Sequence, residues 1–179
     1  LCETVIPGAH DAGTVGMMWA AETQNRTVAE MLACGARYFD LRVENDGGNL
    51  VVFHGPIKGM SFLPIIDAIS EFLTNHPSET LLLDFQHFEN DGSMEGVDSL
   101  LNEKLNGKLV VNDTDKSDLQ FAKELTVGAA RGKAMVFWGN YFKNTSECEY
   151  INGRNYLFAR NNDAGTRTGS TLHSFYKGT

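Results

Sequence analysis

Five residues with side chains suited to acid–base chemistry lie within residues 10–54 of this sequence. His10, Arg42 and His54 each stand at the downstream end of a predicted strand, and Asp11 and Asp40 lie beside them. One imidazole can remove a proton from an attacking hydroxyl, the other can protonate a leaving oxygen, and the guanidinium can hold the developing negative charge. The carboxylates are placed to orient the imidazoles or the guanidinium. The pattern therefore predicts a phosphoryl-transfer site.

Each of these residues, taken alone, also has a simpler interpretation. His10 could be a loop residue after a strand, and His54 could begin a turn. Arg42 could form a structural ion pair with Asp40 or Glu44. The joint pattern favours a catalytic site, because two histidines and an arginine at three strand ends together supply a base, an acid and a cation, which no single residue does.

The remaining histidines are weaker candidates. His76 stands beside a proline and is expected at a solvated helix end, while His173 lies in a polar tail. His87 falls near the end of a third strand and is placed to face the same site.

Strands and helices alternate along the chain. Strands are predicted at 3–6, 36–43, 49–55, 80–88, 132–139 and 155–160, and helices at 27–34, 62–74, 93–105 and 116–125. Thr27 is a suitable N-cap for the first helix and Gly35 a suitable residue to end it. Residues 161–179 are expected to form a loop. The alternation predicts an α/β fold with a largely parallel sheet, and in a β/α barrel the downstream strand ends share one face.

Composition limits the class of protein. The net charge of −8 argues against a nucleic-acid partner, and the 42% hydrophobic content supports one domain over residues 1–179. No apolar run approaches the ~20 residues of a membrane span.

The compartment stays open. Three sequons favour a secreted or extracellular protein, whereas a cytoplasmic one is compatible with three reduced thiols; one disulfide with one free thiol is equally open. The sequons begin at Asn25, Asn112 and Asn144, and the cysteines are Cys2, Cys34 and Cys148. The chain begins without an initiator Met, so we expect the true N-terminus to lie upstream.

Four motifs in sequence order resemble the X domain of phosphatidylinositol-specific phospholipases C. They are IPGAHDAG, GARYFDLR, LVVFHG and FLTNHPSETLLLDFQHF, within residues 3–90, with a fainter match at ARGKAMVFW, residues 130–138. The second motif and LDFQHF especially resemble the eukaryotic X-domain-containing subgroup. The resemblance implies a distorted TIM (β/α)8 barrel of the phospholipase C-like phosphodiesterase type. It also implies cleavage of a phosphoinositide lipid or glycosyl-lipid headgroup to diacylglycerol and a cyclic inositol phosphate, with peripheral membrane contact.

The resemblance also implies roles for the five residues. His10 would be the general base, and His54 the general acid assisted by Asp11. Arg42 would bind the phosphate with support from Asp40. Arg42 stands where the calcium-dependent branch has a carboxylate, and a guanidinium cannot ligate a cation. We therefore expect a metal-independent site with no cofactor.

Two features depart from the family pattern. Gln86 and His87 stand where the bacterial enzymes carry a lysine that helps to hold the inositol ring, so these two residues become the candidates for substrate binding. About six strands are predicted, whereas an eight-stranded barrel typically needs ~250 residues. We therefore expect an incomplete barrel that lacks C-terminal strands. The family places an aspartate late in the barrel to orient the base; Asp163 is the only late acidic residue on a plausible loop, and we do not expect it to match that aspartate.

Two other functions remain open. A degenerate X domain would bind a phosphoinositide or another phosphate ligand without turnover. A barrel similar to glycerophosphodiester phosphodiesterases would use a metal, which Arg42 and the lack of a clustered glutamate pair disfavour. Residues 17–19, Met-Met-Trp, could touch a bilayer or pack into the core, and we favour the core.

Overall fold

The computed structural model describes residues 1, 4–138 and 156–159. Its strands are β1 (Gly8–Ala9), β2 (Tyr38–Asp46), β3 (Asn49–His54), β4 (Ile57–Ser61), β5 (Thr80–Glu89), β6 (Lys133–Trp138) and β7 (Leu157–Ala159). Its helices are α1 (Val28–Ala33), α2 (Leu63–Asn75), α3 (Ser93–Lys104), α4 (Asp118–Glu124) and α5 (Val127–Ala130). No helix in this described part is long and apolar enough to cross a bilayer.

The strands form one mixed sheet in the order β4-β3-β2-β5-β6-β7, with β1 also paired to β2. Five strands, β1, β2, β5, β6 and β7, run parallel to one another, as the alternating pattern predicts. β3 and β4 are antiparallel. The prediction of a largely parallel sheet thus holds for its centre, and an antiparallel extension begins at the β2–β3 hairpin. Two glycines with positive φ, Gly47 and Gly48, make that hairpin possible.

The two faces of the sheet have different partners. Alternate residues of β2 and β5, such as Phe39, Leu41 and Phe85, pack into a core with α1, α2 and α3. The opposite face carries the intervening β2 residues, including Asp40 and Arg42, because successive side chains of a strand point to opposite faces. Asp40 and Arg42 therefore lie on the face that these three helices do not cover.

Local sequence explains the helices that cover the first face. Thr27 caps α1 in a reciprocal capping box with Glu30, and Gly35 follows the helix with φ of 98°. In α2 the buried residues recur at helical spacing: Ile65, Ile66, Ile69 and Leu73. A strand followed by an amphipathic helix is the repeating unit of a β/α barrel, and the described residues form part of such a barrel.

Several predicted boundaries are wrong. Residues 4–7 form no strand, and the first pairing begins at Gly8, where the chain meets β2. β4 and α5 were not predicted. β4 contains Gly59, a residue with little strand preference, and close packing decides its conformation: a Cβ there would lie 2.0 Å from the Met17 side chain. The predictions for Cys2, Asn144, Cys148, Asp163, His173 and the whole of residues 161–179 fall outside the described residues.

Candidate active site

One edge of β2 changes its partner along its length. Its first residues pair with β1, at Gly8–Tyr38 and Ala9–Phe39, and its last residues pair with β3. After β1 the chain turns away from β2 and then approaches it again between these two stretches. There the Ala12 N–H donates a hydrogen bond to the Asp40 carbonyl at 2.8 Å. His10 and Asp11 occupy that turn, and are therefore inserted between the two strands that share the edge.

Asp11 is the centre of the cluster. Its backbone is in the left-handed region, with φ of 48°, which a short polar side chain tolerates better than most. Its carboxylate is 2% exposed and lies between three potentially cationic side chains. Oδ1 is 2.5 Å from Arg42 Nε, in an ion pair without the alignment of a hydrogen bond. Oδ2 is 3.3 Å from His10 Nε2 and 3.4 Å from His54 Nε2.

A hydrogen-bond network around two threonine hydroxyls holds the turn in this shape. Thr14 and Thr23 both donate to the Asp11 carbonyl, at 3.1 and 3.2 Å. The Thr14 oxygen accepts the backbone N–H groups of Thr23 and Gln24, and the Gln24 side chain donates to the His10 carbonyl at 2.7 Å. Sequence reasoning missed these positioning residues because isolated threonines in a loop carry no periodic signal.

The two imidazoles have different second partners. His10 Nδ1 is 2.6 Å from Asp40 Oδ2, whereas His54 Nδ1 is 3.0 Å from the Ala21 carbonyl. A carbonyl only accepts, so His54 carries a proton on Nδ1, and its Nε2 is the ring nitrogen that faces Asp11. His10 is also the more accessible, with 68% of its side chain exposed against 29% for His54.

Asp40 is buried behind His10. Burial first, and then the charge of Asp11, raise the pKa of the Asp40 carboxyl, against the lowering effects of Arg42 and His10. The sequence left open whether Asp40 orients an imidazole or supports Arg42, and the structure places it in direct contact with His10. Asp40 Oδ1 has no hydrogen-bond partner within residues 4–138.

His54 reaches the site by a route that sequence reasoning did not foresee. The prediction placed it with Arg42 because downstream ends of parallel strands share one edge. β3 is antiparallel to β2, however, with Val43 paired to Val52 and Asp46 to Asn49. β2 continues past Arg42, turns, and β3 returns His54 to the level of the cluster. The location was predicted correctly and its reason was wrong.

Gln86 and His87 lie on the neighbouring strand. The β2–β5 ladder has an irregularity after Leu41, so that Arg42 pairs with His87 and the register passes over Gln86. Such a bulge redirects a side chain near a site. The structure thus places both residues next to Arg42, in partly buried positions, and their substrate-binding role stays a prediction.

The Met-Met-Trp segment divides between two environments. Met17 is buried in the main core, as favoured from the sequence. Met18 and Trp19 are 56% and 87% exposed, so the expectation of core packing is wrong for these two. They belong to the loop whose Ala21 carbonyl contacts His54.

One group of potential metal ligands occurs in the described part of the chain. His10, Asp11 and Asp40 each bring one ligand atom within 4.8 Å of the others. The Arg42 guanidinium already lies against Asp11, and its fixed charge opposes a cation bound beside it. The donor set is therefore better suited to orienting imidazoles than to holding a metal ion.

The fold resembles that of a solved phospholipase C. The solved phosphatidylinositol-specific phospholipase C from Listeria monocytogenes aligns with a TM-score of 0.64 and 26% identity, over 78% of this chain and 52% of that one. The fold is thus that of phospholipase C TIM barrels, present here in part. The family model for the phosphatidylinositol-specific phospholipase C X domain matches residues 1–139, and the chain belongs to this family.

Two relatives illustrate the range of the similarity. The 1-phosphatidylinositol phosphodiesterase of Listeria monocytogenes is 28% identical over 148 residues, which are 77% of this chain and 44% of the relative. The human PI-PLC X domain-containing protein 2 is 43% identical over 70 residues, or 37% of this chain and 23% of the relative. The chain thus spans less than half the length of either relative.

Proposed function

We propose that the protein is a metal-independent phosphodiesterase that cleaves phosphatidylinositol-type lipids to diacylglycerol and a cyclic inositol phosphate. The observation that carries this proposal is the Asp11 carboxylate, which contacts His10, Arg42 and His54 together. The family relation supports the substrate class, because the Listeria relative is a 1-phosphatidylinositol phosphodiesterase.

The proposed reaction assigns one proton transfer to each histidine. His10 Nε2 takes the proton of a headgroup hydroxyl, while Asp40 accepts a hydrogen bond from Nδ1–H of the same ring and stays ionised. The hydroxyl oxygen bonds to phosphorus, the bond from phosphorus to the diacylglycerol oxygen breaks, and His54 Nε2 gives its proton to that oxygen. Arg42 offsets the negative charge that develops on the phosphate.

The choice of base and acid follows from the partners of the two rings. A carboxylate beside His10 stabilises the imidazolium that a base becomes. The Ala21 carbonyl fixes the tautomer of His54, so that a second proton resides on Nε2, and Asp11 stabilises that charged form. His10 is the more exposed ring, as expected for a group that must meet the substrate hydroxyl.

Phosphorus NMR with phosphatidylinositol micelles and excess EDTA tests the proposal. We expect a growing cyclic-phosphate signal with the native chain and none above background with His10→Ala or His54→Ala. His76→Ala is the matched control, since His76 is an exposed histidine at the end of α2. Either variant retaining most of the turnover would refute the two-histidine mechanism. Binding without turnover would instead favour the degenerate, ligand-binding X domain.

We propose that the exposed Met18 and Trp19 contribute peripheral membrane contact. Aromatic side chains favour the interface between headgroups and acyl chains. Trp19→Ala should weaken sedimentation with phosphatidylinositol vesicles, whereas Val5→Ala, at a 94% exposed position upstream of β1, should leave it unchanged. Equal binding by both variants would exclude this loop as the contact.

A secreted location is part of the same proposal. Asn25 is exposed and begins an Asn-Arg-Thr sequon, which is accessible to glycosylation in a secretory compartment. Expression in a secreting eukaryotic cell should give a chain whose mobility changes after deglycosylation, and Asn25→Gln should abolish the Asn25 glycopeptide in a mass spectrum. An unglycosylated chain that stays inside the cell would favour the cytoplasmic alternative.

A further inference from the structure

A second charged pair lies beyond Arg42 on the same face of the sheet. Glu44 follows Arg42 by two residues in β2, so both side chains leave the face that carries the candidate site. The Glu44 side chain is 9% exposed. Within residues 4–138 its Oε1 atom makes no aligned hydrogen bond, although a carboxylate oxygen has two acceptor positions.

Lys58 approaches this carboxylate from β4. Its ammonium is 3.4 Å from Glu44 Oε1 and 2.8 Å from Asp46 Oδ1, and about half of the side chain is exposed. The hydrogen bond with Asp46, opposed by burial and aided by Glu44, raises the Lys58 pKa. The ammonium therefore stays charged and has donors left for a ligand, since it carries three.

We propose that Glu44 and Lys58 form a subsite for the hydroxyl groups of a headgroup ring. This inference rests on the proposed function, because it takes Arg42 as the group that holds the phosphodiester. Two residues along a strand span ~6.6 Å, which is the scale of a phosphorylated six-membered ring. A ring hydroxyl can donate to the free acceptor position of Glu44 and accept from Lys58.

The local charge selects hydroxyls over a second phosphate. Glu44 and Asp46 carry two negative charges and Lys58 carries one positive charge, so this end of the site is negative. An anionic substituent would be repelled there, whereas a neutral hydroxyl satisfies the buried carboxylate oxygen. Leaving such an oxygen without a donor costs free energy, and a ligand that supplies the donor recovers it.

Two soluble diesters test the subsite by isothermal titration calorimetry. Glycerophosphoinositol carries the ring, whereas glycerophosphoglycerol has a shorter open-chain headgroup. We expect the native chain to prefer the ring compound. Glu44→Gln and Lys58→Met should each weaken binding of glycerophosphoinositol about tenfold, with less than about a twofold change for glycerophosphoglycerol.

Two further variants keep the test sharp. The double variant E44Q/K58M removes both charges and leaves neither one buried alone, so it should fold even where Lys58→Met does not. Lys104→Met is the control, because it breaks a comparable ion pair with Asp67, at 3.0 Å, between two helices of the covered face. Folded variants that keep the native preference for the ring, or a native chain without that preference, would overturn the subsite. Turnover in the phosphorus NMR experiment tests the proposed function separately.

Discussion

The two sides of the candidate site are built on different principles. On one side, His10 sits in a tight turn after a two-residue strand, and a buried carboxylate holds its Nδ1. On the other side, His54 ends a regular antiparallel strand, and a backbone carbonyl holds its Nδ1. Asp11 contacts both rings at nearly equal distances, so the second partner is what distinguishes them.

The difference supports the proposed assignment of one ring as base and the other as acid. A carboxylate partner stabilises a positive ring and so favours proton uptake, whereas a carbonyl partner fixes the tautomer and adds no full charge. A single neighbour of each ring can thus favour a different role for it in proton transfer. Four experiments would test this contrast between the partners of His10 and His54.

Removing each imidazole separates base from acid. On phosphatidylinositol, His10→Ala and His54→Ala should each lower kcat by about 10²- to 10⁴-fold. On an inositol phosphodiester of nitrophenol, whose leaving group needs no proton, His54→Ala should recover most of the native rate and His10→Ala should not. Initial rates on both substrates give the comparison. Recovery by His10→Ala instead would exchange the two roles.

Removing the carboxylate partner affects one ring alone. Asp40→Asn keeps the shape beside His10 and removes the charge, so kcat should fall by at least about 10- to 100-fold, the scale found for carboxylates that orient metal-bound histidines. Because Asp40 acts through the base, the loss should be equal on the lipid and on the nitrophenyl diester. A loss confined to the lipid substrate would place Asp40 with the acid and contradict the contrast.

The sequence predicted the residues of this site better than the path that assembles them. The sequence predicted His10, Arg42 and His54 as candidates because histidine and arginine at the ends of predicted strands can be identified from residue types alone. The direction of β3 was not, since strand direction depends on the Gly47–Gly48 hairpin and on pairing that residue types alone do not specify. Asp11 was expected to assist one histidine, and its contacts with both come from a left-handed turn.

Other features depend on tertiary packing from the start. Thr14 and Thr23 act through their hydroxyls in an irregular loop, where no periodicity marks them. Gly59 has little strand preference, yet it lies within β4, which pairs with β3, and Met17 fills the space that a Cβ at this position would occupy. The helices α1 and α2 were predicted within a residue or two because caps and buried spacing are local properties.

Gly13 connects the two sides of the site. Its φ is 92°, and a Cβ would lie 2.7 Å from Ile65 of α2 and 3.1 Å from Val52 of β3. Gly13→Ala should lower the free energy of unfolding by about 2–3 kcal/mol through strain and overpacking. Gly16→Ala, with φ of 77° and open space around it, should cost about 1 kcal/mol from strain alone. Urea denaturation measures both, and equal losses would show that the loop does not pack tightly against the hairpin.

The smallest expected effect is the dependence of stability on Asp40 protonation. Burial and the Asp11 charge raise the pKa of Asp40, so the folded state holds this proton more tightly than the unfolded chain does. As pH falls from the raised pKa towards the ordinary aspartate pKa of about 3.9, the native protein should gain stability relative to Asp40→Asn.

The comparison is cleanest in a His10→Ala background, which removes an imidazole that lowers the Asp40 pKa. Denaturation at several pH values gives the difference between the His10→Ala chain and the same chain carrying Asp40→Asn. Asp67→Asn, on α2 and half exposed, is the matched loss of charge. A difference that shrinks with falling pH would mean that attraction to Arg42 outweighs burial. The carboxylate behind the base would then be held by its ion pairs, and the contrast between the two rings would depend on Arg42 as much as on Asp40.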